Sequence, residues 1–154
     1  MTHNKVPSEL IIDPVIERRI RGSFSRQGLM RHLGAKLVEL VPGRACIRMP
    51  HREELTQQHG FFHAGSMSAI ADIAGGYAGF SLFPRDSSVL TVEFKINLLE
   101  PVCGDYLEAI GTVVRSGHTL TVCQLEVFGV TPEQRVQVAL GQQTLYCLRK
   151  SPEK

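Results

Sequence analysis

Asp72 is the side chain in this sequence with the most chemistry to offer. It stands inside Ala64-Gly65-Ser66-Met67-Ser68-Ala69-Ile70-Ala71-Asp72-Ile73-Ala74-Gly75-Gly76-Tyr77-Ala78-Gly79, a run of small and apolar residues. A polar loop, Gln57-Gln58-His59-Gly60-Phe61-Phe62-His63, leads into it. A carboxylate among Ala, Ile and Gly is costly to bury unless it is paired, protonated or put to use. Two readings follow. Asp72 is either a hydrogen-bond acceptor that fixes packing, or a catalytic carboxylate close to a helix N-terminus. Residue types alone leave both open.

The elements that must position Asp72 can be read from punctuation and periodicity. The segment from about 64 to 83 reads as a helix about 30 Å long at 1.5 Å per residue, stopped by Pro84. Each glycine costs a helix about 0.8–1.0 kcal/mol relative to alanine, so this many small residues point to close approach of another backbone around the helix. A wrapping sheet meets that need. After Pro84 the period becomes two. Leu90, Val92, Phe94, Ile96 and Leu98 alternate with Thr91, Glu93, Lys95 and Asn97, which predicts a strand with one buried face. Strands over Tyr106–Arg115, Leu120–Val130 and Arg135–Leu148 follow, with turns at Ser116-Gly117-His118 and near Thr131-Pro132-Glu133. Short turns between consecutive strands predict an antiparallel meander.

Upstream, Asp13 suits an N-cap and Pro14 the first helical position of a helix over about 13–27, with Ile16, Ile20 and Phe24 on one side. An extra turn from Ser8 would be disturbed by Pro14. Arg18, Arg19, Arg21 and Arg26 read as its solvated face, with contact to acidic ligand groups as the alternative. Ala35–Val41 and Ala45–Met49 form a hairpin around Pro42-Gly43. The class is α+β, read as one domain over 1–154 with the core at about 30–149.

Bulk properties narrow the function. A chain of 154 residues, 43% apolar and 21% charged, can bury a substantial core. A net charge of +2 gives no electrostatic argument for nucleic acid or an anionic membrane. No apolar run reaches the roughly 18 residues of a spanning helix, and the N-terminus lacks the pattern of a signal peptide. Cys46, Cys103, Cys123 and Cys147 are far apart and do not fall at ligand spacing to the histidines. Free thiols in a cytoplasmic protein, and no metal, are therefore expected.

The motif and element order resemble the hotdog-fold thioesterases, in particular the phenylacetate-pathway (PaaI-like) type of acyl-CoA thioesterase. That family's pattern is Asn-x-x-Gly-x-x-His-Gly-Gly followed by an acid in the helix. Gly60, His63, Gly65 and Asp72 match its spacing, while Gln57 stands for the Asn and Ala64 for the first Gly of the Gly-Gly pair. Leu90-Thr91-Val92-Glu93-Phe94 is similar to the family's strand after the helix, and Arg115-Ser116-Gly117-His118-Thr119 to its basic turn. The His-Ala-Gly form is most similar to a bacterial branch acting on medium- and long-chain acyl-CoA.

The resemblance implies an antiparallel sheet wrapped around one long central helix. It also implies hydrolysis of acyl-CoA to free CoA and a carboxylic acid. Asp72 would be general base or nucleophile, with the Ala64 and Gly65 N–H groups as oxyanion donors. Gln57 would orient water or the thioester carbonyl, Thr91 would hold the water, and His63 would shape the loop. Arg115, Ser116, Gly117 and His118 would contact CoA, with Lys95 and Arg149 as weaker candidates. Phe61 and Phe62 would line the acyl tunnel or anchor the loop. Coenzyme A is then part of the substrate, and no cofactor is implied. The site would lie between protomers of a homodimer or homotetramer. Alternatives are a non-catalytic acyl-CoA-binding module, an enoyl-thioester hydratase, for which no Asp–His pair is evident, and a structural module.

Overall fold

The fold is organised by close contact between one helix and the strand backbones around it. The structure, a computed structural model, describes residues 11–149, so the region around Ser8 lies outside the described residues. The elements in order are α1 (Pro14–Ser25), α2 (Gly28–His32), β1 (Lys36–Val41), β2 (Arg44–Pro50), a 3-10 turn (Glu53–Leu55), α3 (Ala64–Phe80), β3 (Ser87–Leu98), β4 (Tyr106–Ser116), β5 (Leu120–Val130) and β6 (Arg135–Arg149). The predicted helix and strands are present. The short α2 and the 3-10 turn were not anticipated. One turn of helix is too brief to show a 3.6-residue period.

Small residues on α3 answer to the sheet. A Cβ on Gly111 of β4 would stand 2.4 Å from the carbonyl carbon and oxygen of Ala74 and from the nitrogen of Gly75. The strand backbone therefore lies directly on the helix backbone. On the other side of that contact, Met67, Ile70, Ala71 and Ala74 pack into a core with Ile47, Met49, Leu107, Ala109, Leu125 and Val127. The helix ends at Phe80, three residues before the expected end. Arg19 of α1 explains how that end is satisfied. Its guanidinium donates to the carbonyls of Pro84 and Arg85 at 2.7 Å and of Phe80 at 3.2 Å. It also stacks 4.1 Å from the centre of the Phe80 ring. Arg19 is thus a helix-end cap, not part of a solvated arginine face. Asp13 caps α1 as expected, accepting from the Val15 N–H at 2.7 Å.

The six strands run β1-β2-β4-β5-β6-β3, with every neighbouring pair antiparallel. The meander expectation holds for β4-β5-β6 but not for β3, which pairs with β6 at the far edge. Local turn signals cannot reveal this, because the connection is a crossing loop. Leu99–Asp105 passes over the ends of β6 and β5, donating from Leu99 N–H to Val138 O and from Asp105 N–H to Val130 O, both at 2.9 Å. Its Val102 is buried.

The expected buried face of β3 also needs correction. Leu90, Val92 and Leu98 are 53%, 58% and 52% exposed. β3 is an edge strand, and a bulge between Thr91 and Glu93 shifts its register against β6. That bulge changes the parity of the strand. Thr91 reaches α3, yet Ile96, five residues on, packs against the same core. Edge bulges re-aim side chains in this way.

Two glycines make opposite predictions. Gly111→Ala should lower stability by about 1–3 kcal/mol, because the new methyl group meets backbone that cannot yield. Gly76 has nothing within 4 Å of its ideal Cβ, so Gly76→Ala should raise stability, by up to about 1 kcal/mol. Urea unfolding of both variants checks the pair; equal effects would contradict the packing described.

Candidate functional site

Asp72 is held by two side chains from the edge of the sheet. Thr91 Oγ donates to Asp72 Oδ1 at 2.8 Å, and Gln143 Nε2 lies 2.5 Å from the same oxygen. Among the described residues nothing donates to Oδ2. The bulge in β3 is what turns Thr91 toward the helix. The register with β6 then sets Thr91 opposite Leu145, two residues from Gln143. Thr91, expected to hold the attacking water, stands beside Asp72. Gln143 was missed. Its signal was an amide on the strand face that also carries Leu145 and Cys147, both buried.

Beside this carboxylate a pocket of about 130 Å³ is lined by Asp72, Ile73, Gly76, Tyr77, Val89, Thr91 and Gln27. Gly76 keeps it open. Its neighbours Gly75 and Gly79 leave no such space. A Cβ on Gly75 would collide with Gln143 and Leu125, and one on Gly79 with Leu145. Gln27, just after α1, closes the pocket by donating to the Tyr77 hydroxyl at 2.8 Å, which in turn donates to Ser23 Oγ at 3.2 Å. Burial pushes the Tyr77 phenol above its ordinary pKa, outweighing the hydrogen bonds to Ser23 and Gln27, so the ring keeps its proton.

The loop residues gather at the other end of α3. His63 is the N-cap, and its Nδ1 accepts from the Gly65 N–H at 2.8 Å. The Gly65 N–H, expected to be free for an oxyanion, is therefore engaged. The Ala64 N–H has no acceptor among the described residues. Gln57 accepts through Oε1 from the His59 N–H. Gln57 and Ala64 line one pocket of about 320 Å³ with Phe61, Phe62, Met67 and Leu98–Val102. Both rings border this space; Phe62 is buried and packs edge-on to His51 at 5.0 Å, which anchors the loop in the core. Asp72 comes eight positions after Ala64, about 12 Å along a helix. One chain therefore keeps Asp72, Thr91 and Gln143 together and Gln57, His63, Ala64 and Gly65 together, but does not join the two groups.

The basic turn lies near the first group. Thr91, Leu145 and Thr121 are in register across three strands, which sets the β4–β5 turn about 10 Å from Thr91. The turn is closed by the Gly117 N–H donating to Leu120 O at 2.8 Å. Thr121 and Ser116 hydroxyls meet at 3.4 Å. Arg149 joins the turn, donating to the His118 carbonyl at 3.2 Å. Arg115 is exposed and forms no ion pair among the described residues. Lys95 lies elsewhere, bonded to Asn97. All four cysteines are unpaired, and burial raises the Cys46 and Cys123 thiols to about 12, leaving them inert as nucleophiles.

A sheet curled on one central helix, with an acid two turns into that helix, defines the hotdog architecture, and comparison with known proteins agrees. The sequence profile of the Thioesterase superfamily matches residues 59–135, a stretch holding His63, Asp72, Thr91 and the basic turn. A crystal structure of a thioesterase family protein from Silicibacter pomeroyi is similar with a TM-score of 0.86 and 41% identity, covering 88% of this chain and 99% of that one. A provisionally named esterase of Halobacterium salinarum is 31% identical over 132 residues, 79% of this chain and 85% of that protein. The Escherichia coli PaaI protein of the phenylacetic acid degradation operon shares the fold, with a TM-score of 0.78 at 22% identity over 92% of this chain and 97% of that one. The chain belongs to the thioesterase superfamily, with a hotdog fold of PaaI-like type. Membership supports a hydrolase of thioesters.

The His63 cap can be tested directly. His63→Ala should cost about 1 kcal/mol of stability by freeing the first turn of α3. His63→Asn, which keeps a capping acceptor, should recover most of it in thermal unfolding.

Proposed function

We propose that the protein hydrolyses acyl-CoA thioesters to free CoA and a carboxylic acid, with medium- to long-chain fatty acyl or aryl-acyl groups as substrates. The observation that carries this reading is the state of Asp72. Its carboxylate is fixed through one oxygen, left without a donor on the other, and set at an open pocket in a chain of the thioesterase superfamily. In the reading, Asp72 either takes a proton from the water that attacks the carbonyl and displaces the CoA thiolate, or attacks the carbonyl itself. The second route breaks the C–S bond, releases the CoA thiolate and forms an anhydride that water then splits into the carboxylic acid and free Asp72. The acyl group enters the slot at Gly76. Arg115, Ser116, Gly117 and His118, with Arg149, face the phosphates of CoA.

The donors for the developing oxyanion come from a second copy. Asp72 and the start of α3 are too far apart within one chain, and β3 offers an unpaired edge bearing Leu90, Val92, Phe94 and Leu98, all exposed. Joining two such edges removes an aggregation-prone strand edge and supplies each Asp72 with the partner's helix start. The Ala64 N–H is the donor free for the thioester oxygen, and a helix N-terminus suits developing negative charge. Gln57 adds an amide at the same end. The assembly is a homodimer or homotetramer. Four unpaired cysteines accord with a cytoplasmic setting.

Free-thiol release from acetyl-, phenylacetyl-, octanoyl- and palmitoyl-CoA tests the proposal. Wild type should turn over at least one of them, with rates rising along the fatty series or favouring the aryl group. Asp72→Asn should lose about 10²–10⁴ in kcat. Full activity in Asp72→Asn would remove Asp72 from the mechanism. Tight binding of the whole panel without turnover by wild type would point instead to an acyl-CoA-binding module.

A further inference from the structure

Gln143 is fully buried, and its two amide atoms are treated very differently by the fold. Nε2 lies 2.5 Å from Asp72 Oδ1, 3.2 Å from Thr91 Oγ and 3.1 Å from the Asp72 carbonyl oxygen. Oε1 is buried with no partner among the described residues. Leaving a buried oxygen unpaired destabilises the fold, so something at the other end of the amide must justify its place. The orientation follows from the contacts, because Asp72 Oδ1 already accepts from Thr91 Oγ, and the NH₂ end can donate to it whereas the amide oxygen cannot. The helix has also made room for this amide. A Cβ on Gly75 would stand 1.9 Å from Gln143 Oε1. A glycine that weakens α3 and an unpaired buried oxygen thus serve one contact.

We propose that Gln143 is a positioning residue for Asp72. Together with Thr91 it anchors Oδ1, fixes the plane of the carboxylate, and leaves Oδ2 as the oxygen that meets the attacking water or the thioester carbonyl. This rests on the reading of Asp72 as the reacting carboxylate. Two donors on one oxygen restrict rotation about the Cβ–Cγ bond, whereas one would leave the plane free to tilt. Misplacement of a reacting group by about 1 Å can cost on the order of a hundredfold in rate. Gln143 also ties β6 to the α3 backbone through the Asp72 carbonyl. A purely structural Gln143 would need only that bond and would affect unfolding, not turnover.

The test measures kcat, KM and the thermal midpoint of the full chain on its best acyl-CoA. Gln143→Met keeps length and volume but removes both donors. It should lower kcat about 10–100-fold with KM within threefold of wild type. Thr91→Val, at an exposed position, should lower kcat at least threefold. The double variant should lose less than the product of the single losses, because both donors act on one oxygen. Wild-type kcat in a folded Gln143→Met, beside an inactive Asp72→Asn, would overturn this proposal alone. If Gln143→Met does not fold, Thr91→Val decides: unchanged kcat there overturns the anchoring of Oδ1. Full activity in Asp72→Asn would sink the hydrolytic role of Asp72, and this proposal with it.

Discussion

The structure depends on backbone touching backbone at Gly111 and Ala74-Gly75. No side chain of β4 intervenes there, so the sheet can curl closely enough to embrace α3. Once the sheet is that close, the helix surface must be made of small residues, and the remaining space is filled by what the strands send inward. Leu125 and Gln143 occupy the ground over Gly75, and Leu145 that over Gly79. A larger residue at any of these glycines would push the sheet away, and with it the donors that hold Asp72. The helix propensity given up by glycine is thus exchanged for a fixed distance between α3 and β6.

The same curl leaves the molecule with an open edge. β3 closes the sheet against β6 but has no neighbour on its other side among the described residues, and apolar side chains stand exposed along it. The bulge at Thr91–Glu93 is the point where edge and site meet. It turns Thr91 onto Asp72 while allowing the lower half of the strand to keep Ile96 in the core. Under the proposed mechanism, the apolar edge and the incomplete site have one remedy, a second copy across β3.

Much of this was legible because the signals were local. Asp72 stood out by contrast with its neighbours, α3 by its small residues and the stop at Pro84, and the hairpin of β1 and β2 by Pro42-Gly43. What was not legible depended on long-range pairing. Strict alternation from Leu90 to Leu98 concealed both the bulge and the position of β3, since an edge strand and a central one can share a pattern. The Leu99–Asp105 crossing has the length of an ordinary turn, yet it carries the chain across two strands. In sequence Arg19 is indistinguishable from its arginine neighbours, and only the end of α3 beside it sets it apart. Gln143 could have been suspected from an amide on an apolar strand face, but its partner 71 positions away could not. The engagement of the Gly65 N–H by His63 is a side-chain detail that spacing does not encode.

The central claim, that Asp72 of one subunit and the helix start of another meet at the scissile bond, is tested most directly by a crystal structure with a bound non-hydrolysable acyl-CoA analogue that keeps the carbonyl but has a methylene in place of the thioester sulfur. The account predicts the carbonyl carbon within about 3.5 Å of Asp72 Oδ2 and its oxygen facing the Ala64 N–H of the partner subunit. An analogue bound with its carbonyl away from Asp72, or a site completed within one chain, would contradict it.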